Sequence, residues 1–240
     1  MRVKAVIAYD GSHFKGFQKQ TSTKQTIMSE IEIALHSLKI NVSIVGSGRT
    51  DAGVHATGQV IHFDLPPYWV DLKKLKLNLN RKLEYIHFKH IAQVSSDFHA
   101  RFSAKKRLYR YVFKSTEPSV FEKNYISYYD SFDVNILSKA LQYFEGKHDF
   151  EYLRKTGSET HTTTREIYAT YYKKRNGYHF IYFQANGFLR SQVRMMVDIA
   201  MSCAKGEMTL TQLHEQLNCK IKHSTKLAPQ EGLYLAKVLY

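Results

Sequence analysis

The stretch "GSGRTDAGVHATGQV" (46–60) places one carboxylate, Asp51, in a loop that holds Gly46, Gly48, Gly53 and Gly58. Glycine turns the chain where other residues would be strained, and it lets another molecule approach the backbone closely. An aspartate in such a loop commonly caps a turn through its own backbone. The pattern alone therefore leaves Asp51 as either a turn residue or a reactive carboxylate.

The loop lacks the features of a nucleotide-phosphate site. No Lys followed by Ser or Thr comes after its glycines, and their spacing is not that of a dinucleotide fingerprint. Arg49 lies two residues from Asp51, and an arginine partner would keep a buried carboxylate ionised, as a nucleophile or a base requires. Because the glycine spacing matches neither nucleotide-binding motif, we expect no nucleotide cofactor.

Hydrophobic periodicity around the loop predicts a mixture of strands and helices. Alternation predicts strands at 3–9, 42–45, 59–64, 87–94, 109–114, 167–173, 178–185 and 233–239. Helical spacing predicts helices at 27–38, at 134–144 with Asp133 as N-cap and Gly146 at C′, at 188–204, and at 209–217 behind a Thr209–Gln212 capping box. This mixture is typical of an α+β protein.

Two segments of the chain resemble each other. "GSGRTDAGVHATGQVIHF" (46–63) and "GSETHTTTREIYATYY" (157–172) both run from Gly-Ser through a Thr/Arg stretch into a predicted strand. The similarity predicts two related halves, 1–100 with the Asp51 loop and 101–240, and a ligand cleft between them.

The charge of the chain indicates a polyanionic partner. Its 35 Lys and Arg against 21 Asp and Glu give +14 at pH 7, and 17 Tyr and 14 Phe often stand beside basic residues. Cations hold a phosphate backbone while aromatic rings stack on unpaired bases, which favours RNA over DNA. The alternative is an ordinary basic protein that uses Tyr as a strand former.

Other partners are disfavoured. No run approaches the roughly 20 apolar residues of a membrane span, and the opening "MRVKAVIAYDG" does not read as a signal peptide. Two cysteines are too few for a disulfide framework, and the 12 histidines are scattered. We therefore expect a cytoplasmic protein without a membrane partner or a metal site.

Two further segments offer site residues. In "GFLRSQVRMMV" (187–197) the spacing predicts that Arg190 and Arg194 share a helix face, with Arg194 at the margin of a buried surface. Such an arginine either pairs with an anion or covers the core with its stem. In "KKRLYRYVF" (105–113) Tyr109 and Tyr111 share a strand face, where Tyr109 either fills core or stacks on a base.

Together these segments resemble the TruA family of tRNA pseudouridine synthases. The successive motifs are "YDGSHFKGFQKQ" (9–20), "GSGRTDAGVHATGQV" (46–60), "FHARFSAKKRLYRYVF" (98–113), "FEGKHDFEYL" (144–153), "NGFLRSQVRMMV" (186–197) and "APQEGLYLAKVLY" (228–240). They cover nearly the whole chain in order, and "GRTDAGVHA" is the most specific of them.

The resemblance implies an isomerase that converts uridine to pseudouridine at positions 38, 39 and 40 of the tRNA anticodon arm, without cofactor or metal. It implies that Asp51 is catalytic, that Arg194 pairs with it, and that Tyr109 packs on the target base. Leu233 is then expected to line the base pocket and Arg49 to contact RNA.

The resemblance also implies a fold and an assembly. The family fold is a mixed, mainly antiparallel sheet running through two similar halves, with helices outside and a central basic cleft. The family is homodimeric, with tRNA lying across both subunits.

Three alternatives stay open on the sequence. The chain could be a pseudouridine synthase for another RNA, or an RNA-binding protein that kept the scaffold and lost catalysis. The third is a hydrolase of a phosphorylated or glycosidic substrate. That enzyme would need a second carboxylate partnered with Asp51, and none stands at a recognisable spacing.

Overall fold

The computed structural model describes residues 1–157 and 160–240. The chain divides into two compact units, one comprising Met1–Lys105 with Leu235–Tyr240 and the other Lys106–Tyr234. Because of this division, the C-terminal segment belongs to the same unit as the N-terminal strand.

The elements follow one another along the chain as helices and strands intermixed. The strands are β1 (Arg2–Tyr9), β2 (Val45–Gly46), β3 (His55–Asp64), β4 (Ile86–Gln93), β5 (Lys106–Lys114), β6 (Ser127–Tyr128), β7 (Gly146–Asp149), β8 (Thr164–Arg175), β9 (Tyr178–Ala185) and β10 (Leu233–Leu239). The α-helices are α1 (Ile27–Ser37), α2 (Leu72–Lys82), α3 (Val134–Tyr143), α4 (Gln192–Ala204) and α5 (Leu210–Leu217).

The sheet of the first unit has the strand order β4-β1-β3-β10. β1 lies between β3 and β4 and pairs antiparallel with both. Its alternate residues Val3, Ala5, Ile7 and Tyr9 are buried, as the two-residue period of a strand requires when one face lies on the core. The apolar stripe of α1 is buried in the same unit.

The second unit has the sheet order β5-β9-β8-β7, antiparallel throughout, and the short β6 adds a parallel pair on β5. α3 contacts both α4 and β8, and most residues of α4 are buried. Fully buried aromatic rings dominate this core, among them Tyr111, Phe113 and Phe183. The mixed, mainly antiparallel sheet with helices confirms the predicted α+β class.

Every predicted strand overlaps an observed one, although the strand predicted at 42–45 overlaps β2 only at Val45. The helix caps were predictable too. The Asp133 carboxylate accepts the N–H groups of Asn135 and Ile136, and Thr209 with Gln212 forms the capping box. Gly146 has the left-handed φ of +98°. It was predicted at C′ but lies one position further along, at C″, because the C-cap is Phe144.

Two helix predictions differ from the structure. α2 was not predicted, because Leu75 and Leu79 are its only buried residues among lysines and asparagines. The helix expected from 188 begins instead at Gln192, because Ser191 takes a left-handed φ of +57°. The predicted similarity at 157–172 includes Ser158 and Glu159, which lie outside the described residues.

Within residues 1–157 and 160–240, no helix is long and apolar enough to cross a membrane.

Candidate active site

Asp51 lies in the loop that joins β2 to β3 in the first unit. The Asp51 carbonyl accepts the N–H of Val54 at 3.2 Å, which closes a tight turn, and Gly53 has the positive φ of 75° that this turn uses. Asp51 is half-buried and Arg49 is exposed, with the buried Thr50 between them. The loop therefore presents an arginine and a carboxylate on either side of an anchored residue.

A buried polar pair fixes the beginning of the loop. Ser47 and Gln59 are both fully buried, and the Ser47 hydroxyl donates to Gln59 Oε1 at 2.6 Å. Gln59 Nε2 in turn donates to the Gly48 carbonyl at 2.8 Å. Because buried polar groups that lose a partner are costly, these bonds hold the chain directly before Arg49 in one course.

The segment 9–17 supports the loop from within the same unit. The Tyr9 hydroxyl lies 2.8 Å from Thr50 Oγ1, and both groups are buried. Phe17 N–H donates to the Thr50 carbonyl at 3.1 Å, and Gly53 N–H donates to the Phe14 carbonyl at 3.3 Å. The motif "YDGSHFKGF" is thus the structural support of the Asp51 loop.

Gly11 permits the closest approach between these two segments. A Cβ atom at Gly11 would lie 2.1 Å from the Val54 carbonyl oxygen, far inside van der Waals contact. The Gly11 N–H donates to Nδ1 of the buried His55 at 3.0 Å. Only glycine at position 11 therefore lets the support segment lie directly against the end of the Asp51 turn.

Tyr109 lies on β5 in the second unit, opposite Phe183 of β9. It is 8% exposed, and its ring meets Phe188 edge to face at 5.1 Å between centroids. Such aromatic pairs fix ring orientation, so Tyr109 presents a defined face.

Arg194 lies in the first turn of α4 and is half-buried. Its Nε donates to the Ala228 carbonyl at 2.7 Å, and its Nη2 lies 3.3 Å from Gln230 Oε1. The Ala228 N–H donates back to the Arg194 carbonyl at 3.1 Å. These bonds fix the plane of the guanidinium group and hold the segment "APQ" (228–230) against the first turn of α4.

The residues before Leu233 are held by Tyr111 and Ser127. The Tyr111 hydroxyl lies 2.8 Å from Ser127 Oγ and 3.1 Å from the Pro229 carbonyl. Burial raises the pKa of Tyr111 well above its ordinary value, so the hydroxyl keeps its proton. Leu233 is 5% exposed at the start of β10.

The predicted site residues thus divide between the units. Arg49 and Asp51 share one loop of the first unit, whereas Tyr109, Arg194 and Leu233 belong to the second.

The prediction that Arg190 shares a helix face with Arg194 was wrong. Arg190 precedes the start of α4, and its Nη1 donates to the Thr156 carbonyl at 3.1 Å.

The sequence analysis also missed the supporting residues Tyr9, Gly11, Ser47 and Gln59. In the sequence, Tyr9 and Gly11 stand out only as part of "YDG". Ser47 and Gln59 stand out only as polar residues near or within apolar strands. Among residues 1–157 and 160–240, no three His, Cys, Asp or Glu side chains are grouped so that they could hold a metal ion.

Comparison with known proteins gives full-length matches. The family model described as tRNA pseudouridine synthase matches residues 5–103 and 140–240. A tRNA pseudouridine synthase A of Helicobacter hepaticus is 38% identical over 244 residues, covering 99% of this chain and 98% of that protein. Proteins of the same name from Campylobacter jejuni and Phytoplasma mali are 35% and 34% identical over 241 residues. The Campylobacter match covers all of both chains, and the Phytoplasma match covers 99% of this chain and 98% of that protein.

Among solved structures, a chain of a Cbf5-Nop10-Gar1 complex matches at a TM-score of 0.32 and 10% identity. That match covers 82% of this chain and 45% of the other. It is too distant to bear on the site.

Proposed function

The chain belongs to the tRNA pseudouridine synthase family, and on this premise we propose that it isomerises uridine to pseudouridine at positions 38, 39 and 40 of the tRNA anticodon stem-loop. As a member of this family it is an isomerase. The observation that carries the proposal is the Asp51 loop, since "GRTDAGVHA" holds a half-buried carboxylate in a turn that bonds to a buried polar pair and to the 9–17 segment.

The proposed reaction rearranges one nucleotide. A uridine inside a stem or a stacked loop is first flipped out, at a cost of a few kcal/mol. Asp51 then takes part in breaking the C1′–N1 bond, either by attack on the sugar or by removal of a sugar proton. The uracil turns, C5 bonds to C1′, a base removes the C5 proton, and N1 gains a proton. Substrate and product are isomers, so the reaction balances without a redox partner, ATP or a cofactor.

The other residues receive roles in the same proposal. Arg194 orients Asp51 and keeps it charged, for which the fixed guanidinium plane is suited. Tyr109 packs on the base and takes the C5 proton, and Leu233 lines the base pocket. Arg49, which is exposed beside Asp51, contacts the RNA. The halves 1–100 and 101–240 would then each contribute to catalysis.

The proposal extends to the partner and the setting of the enzyme. A net charge of +14 suits binding to tRNA. The two cysteines, Cys203 and Cys219, are free thiols, which agrees with a reducing cytoplasm.

A homodimer is proposed from the family resemblance. Analytical sedimentation at assay concentrations tests this assembly.

The experiment that tests the function is tritium release from C5-labelled uridine in unmodified tRNA, with tRNA binding measured in parallel. Wild type is expected to release tritium. Asp51→Asn should bind tRNA with unchanged affinity and release tritium at least about a hundredfold more slowly. Asp130→Asn removes an exposed aspartate of the second unit and should behave like wild type.

Each alternative function has its own outcome in this assay. Binding without release by wild type would show an RNA-binding protein without catalysis. Release only from another RNA would change the substrate, and free uracil as a product would indicate a glycosidic hydrolase.

A further inference from the structure

A short turn in the first unit holds an aromatic side chain out into solvent. Phe102 is 76% exposed, whereas Ala100, two residues earlier, is fully buried. A phenylalanine kept in water gives up the free energy that its burial would contribute.

The turn is held rigidly by its own side chains. His99 Nδ1 lies 3.2 Å from the backbone nitrogens of both Arg101 and Phe102, and accepts their N–H groups. Ser103 N–H donates to the His99 carbonyl at 2.9 Å, and His99 N–H donates to Ser103 Oγ at 3.0 Å. The backbone around Phe102 is therefore ordered before any ligand arrives.

The turn is also anchored to the sheet. The Ala100 N–H donates to Nδ1 of His62 on β3 at 3.1 Å, and the Ala100 carbonyl accepts the Tyr240 hydroxyl at 2.7 Å. Burial, with the charges of His99 and Arg2, lowers the pKa of His62. Its ring therefore stays neutral and keeps Nδ1 available as an acceptor.

The surroundings of the ring are aromatic and cationic. The Phe102 ring stacks on His99 with 4.4 Å between centroids and 30° between planes. The Arg101 guanidinium lies 5.5 Å from the Phe102 centroid. The exposed Lys105 follows three residues later. A flat ring with neighbouring cations is typical of surfaces that bind unpaired nucleic acid, where the ring stacks on a base and the cations contact the phosphates.

We propose that Phe102 is a stacking platform for an unpaired base of the RNA substrate, with Arg101 close to the flanking phosphates. The inference rests on the proposed function, since it assigns a further contact to the same substrate. A rigid ring suits this purpose because no ordering entropy is lost at the moment of binding. A docked protein is less favoured, because protein interfaces are depleted in lysine and bury their aromatic residues in an apolar centre.

The test compares variants of Phe102 for binding to unmodified tRNA. Phe102→Ala and Phe102→Leu should raise the Kd about tenfold, because both lose the aromatic face. Phe102→Trp should bind as tightly as wild type or more tightly. The matched control is Phe121→Ala, which removes a ring that is 86% exposed in the second unit and should leave the Kd unchanged.

Salt dependence separates stacking from phosphate contact. Phe102→Ala should keep the wild-type slope of log Kd against log salt concentration, whereas Arg101→Ala should reduce that slope by about one. The melting temperature of Phe102→Ala should equal that of wild type, since the ring is mostly exposed.

Two results would overturn the inference. One is wild-type tRNA affinity in Phe102→Ala, and the other is a loss of self-association in that variant, which would make Phe102 a contact between copies. If wild type binds tRNA but releases no tritium, the proposed function fails. A weakened Phe102→Ala would then still support an RNA-stacking role.

Discussion

At the residue scale, the chemistry proposed for Asp51 would depend on neighbouring residues that take no part in the reaction themselves. Thr50 is bonded to Tyr9 and Phe17 on one side of the carboxylate, and Gly53 is bonded to Phe14 on the other. The position of the carboxylate is therefore set by the 9–17 segment rather than by the loop alone. Small changes in that segment should act on catalysis at a distance.

Gly11→Ala tests this support. The added Cβ would lie 2.1 Å from the Val54 carbonyl oxygen, so the Asp51 turn or the support segment must shift. We expect tritium release to fall about tenfold or more, while tRNA affinity changes little. The free energy of unfolding should drop by about 1–3 kcal/mol.

The matched control for stability is Gly48→Ala. A Cβ at Gly48 meets nothing within 4 Å, so the free energy of unfolding should stay within about 0.5 kcal/mol of wild type. Urea unfolding of both variants makes the comparison. Equal stability of Gly11→Ala and wild type, together with wild-type turnover, would contradict the support role.

The loop that holds Arg49 and Asp51 was predictable, because its glycines mark a turn between two predicted strands. The Ser47–Gln59 bond was not predictable, because it joins residues 12 positions apart whose contact depends on the completed pairing of strands. The sequence shows polar residues there but not which atoms they bond.

At the element scale, periodicity predicted strands well and helix beginnings less well. β9 and β10 were predicted with their observed bounds, because alternation over seven or eight residues is distinctive. The beginning of α4 depends instead on a hydrogen bond from Leu189 N–H to Gln192 Oε1 at 2.7 Å. α2 was missed because two buried leucines give too weak an apolar stripe.

The loop after β5 is stabilised by Glu122 and should respond to acid. The carboxylate accepts the N–H and hydroxyl of Ser119, the Tyr178 hydroxyl at 2.7 Å, and Lys114 Nζ at 3.2 Å. These bonds, first that from the Ser119 backbone, lower the pKa of Glu122 from 4.5 to about 2. Because the folded pKa is the lower one, the stabilisation is full above pH 4.5 and is lost as the pH falls to about 2.

Glu122→Gln should therefore be less stable than wild type at neutral pH and should lose that difference through this acid window. Urea unfolding at a series of pH values measures it, with Glu117→Gln, which removes an exposed glutamate, as the control. A difference between wild type and Glu122→Gln that stayed constant down to about pH 2 would show that ionisation of Glu122 does not stabilise the loop.

At the scale of the whole molecule, composition indicated the class of partner but not the surface that meets it. The +14 charge is a property of the entire chain. Part of it is neutralised locally, as where Arg2 pairs with Asp64 through both oxygens. Only the cations left facing the RNA release counterions on binding, so the effective number of phosphate contacts must be measured.

Salt titration of tRNA binding measures that number. If six or more phosphates are contacted, the affinity should fall by a factor of about a thousand or more between 50 and 200 mM salt. Arg49→Ala should reduce the slope of log Kd against log salt concentration by about one if Arg49 contacts a phosphate. It should leave that slope unchanged if Arg49 contacts the flipped nucleotide instead.

Turnover at saturating tRNA should vary far less with salt, because interactions of half-buried groups such as Asp51 are screened less than those of exposed ones. A shallow slope of log Kd for tRNA against log salt concentration would mean that the positive charge does not act mainly in RNA binding. The affinity for tRNA would then have to come from base stacking of the kind proposed for Phe102.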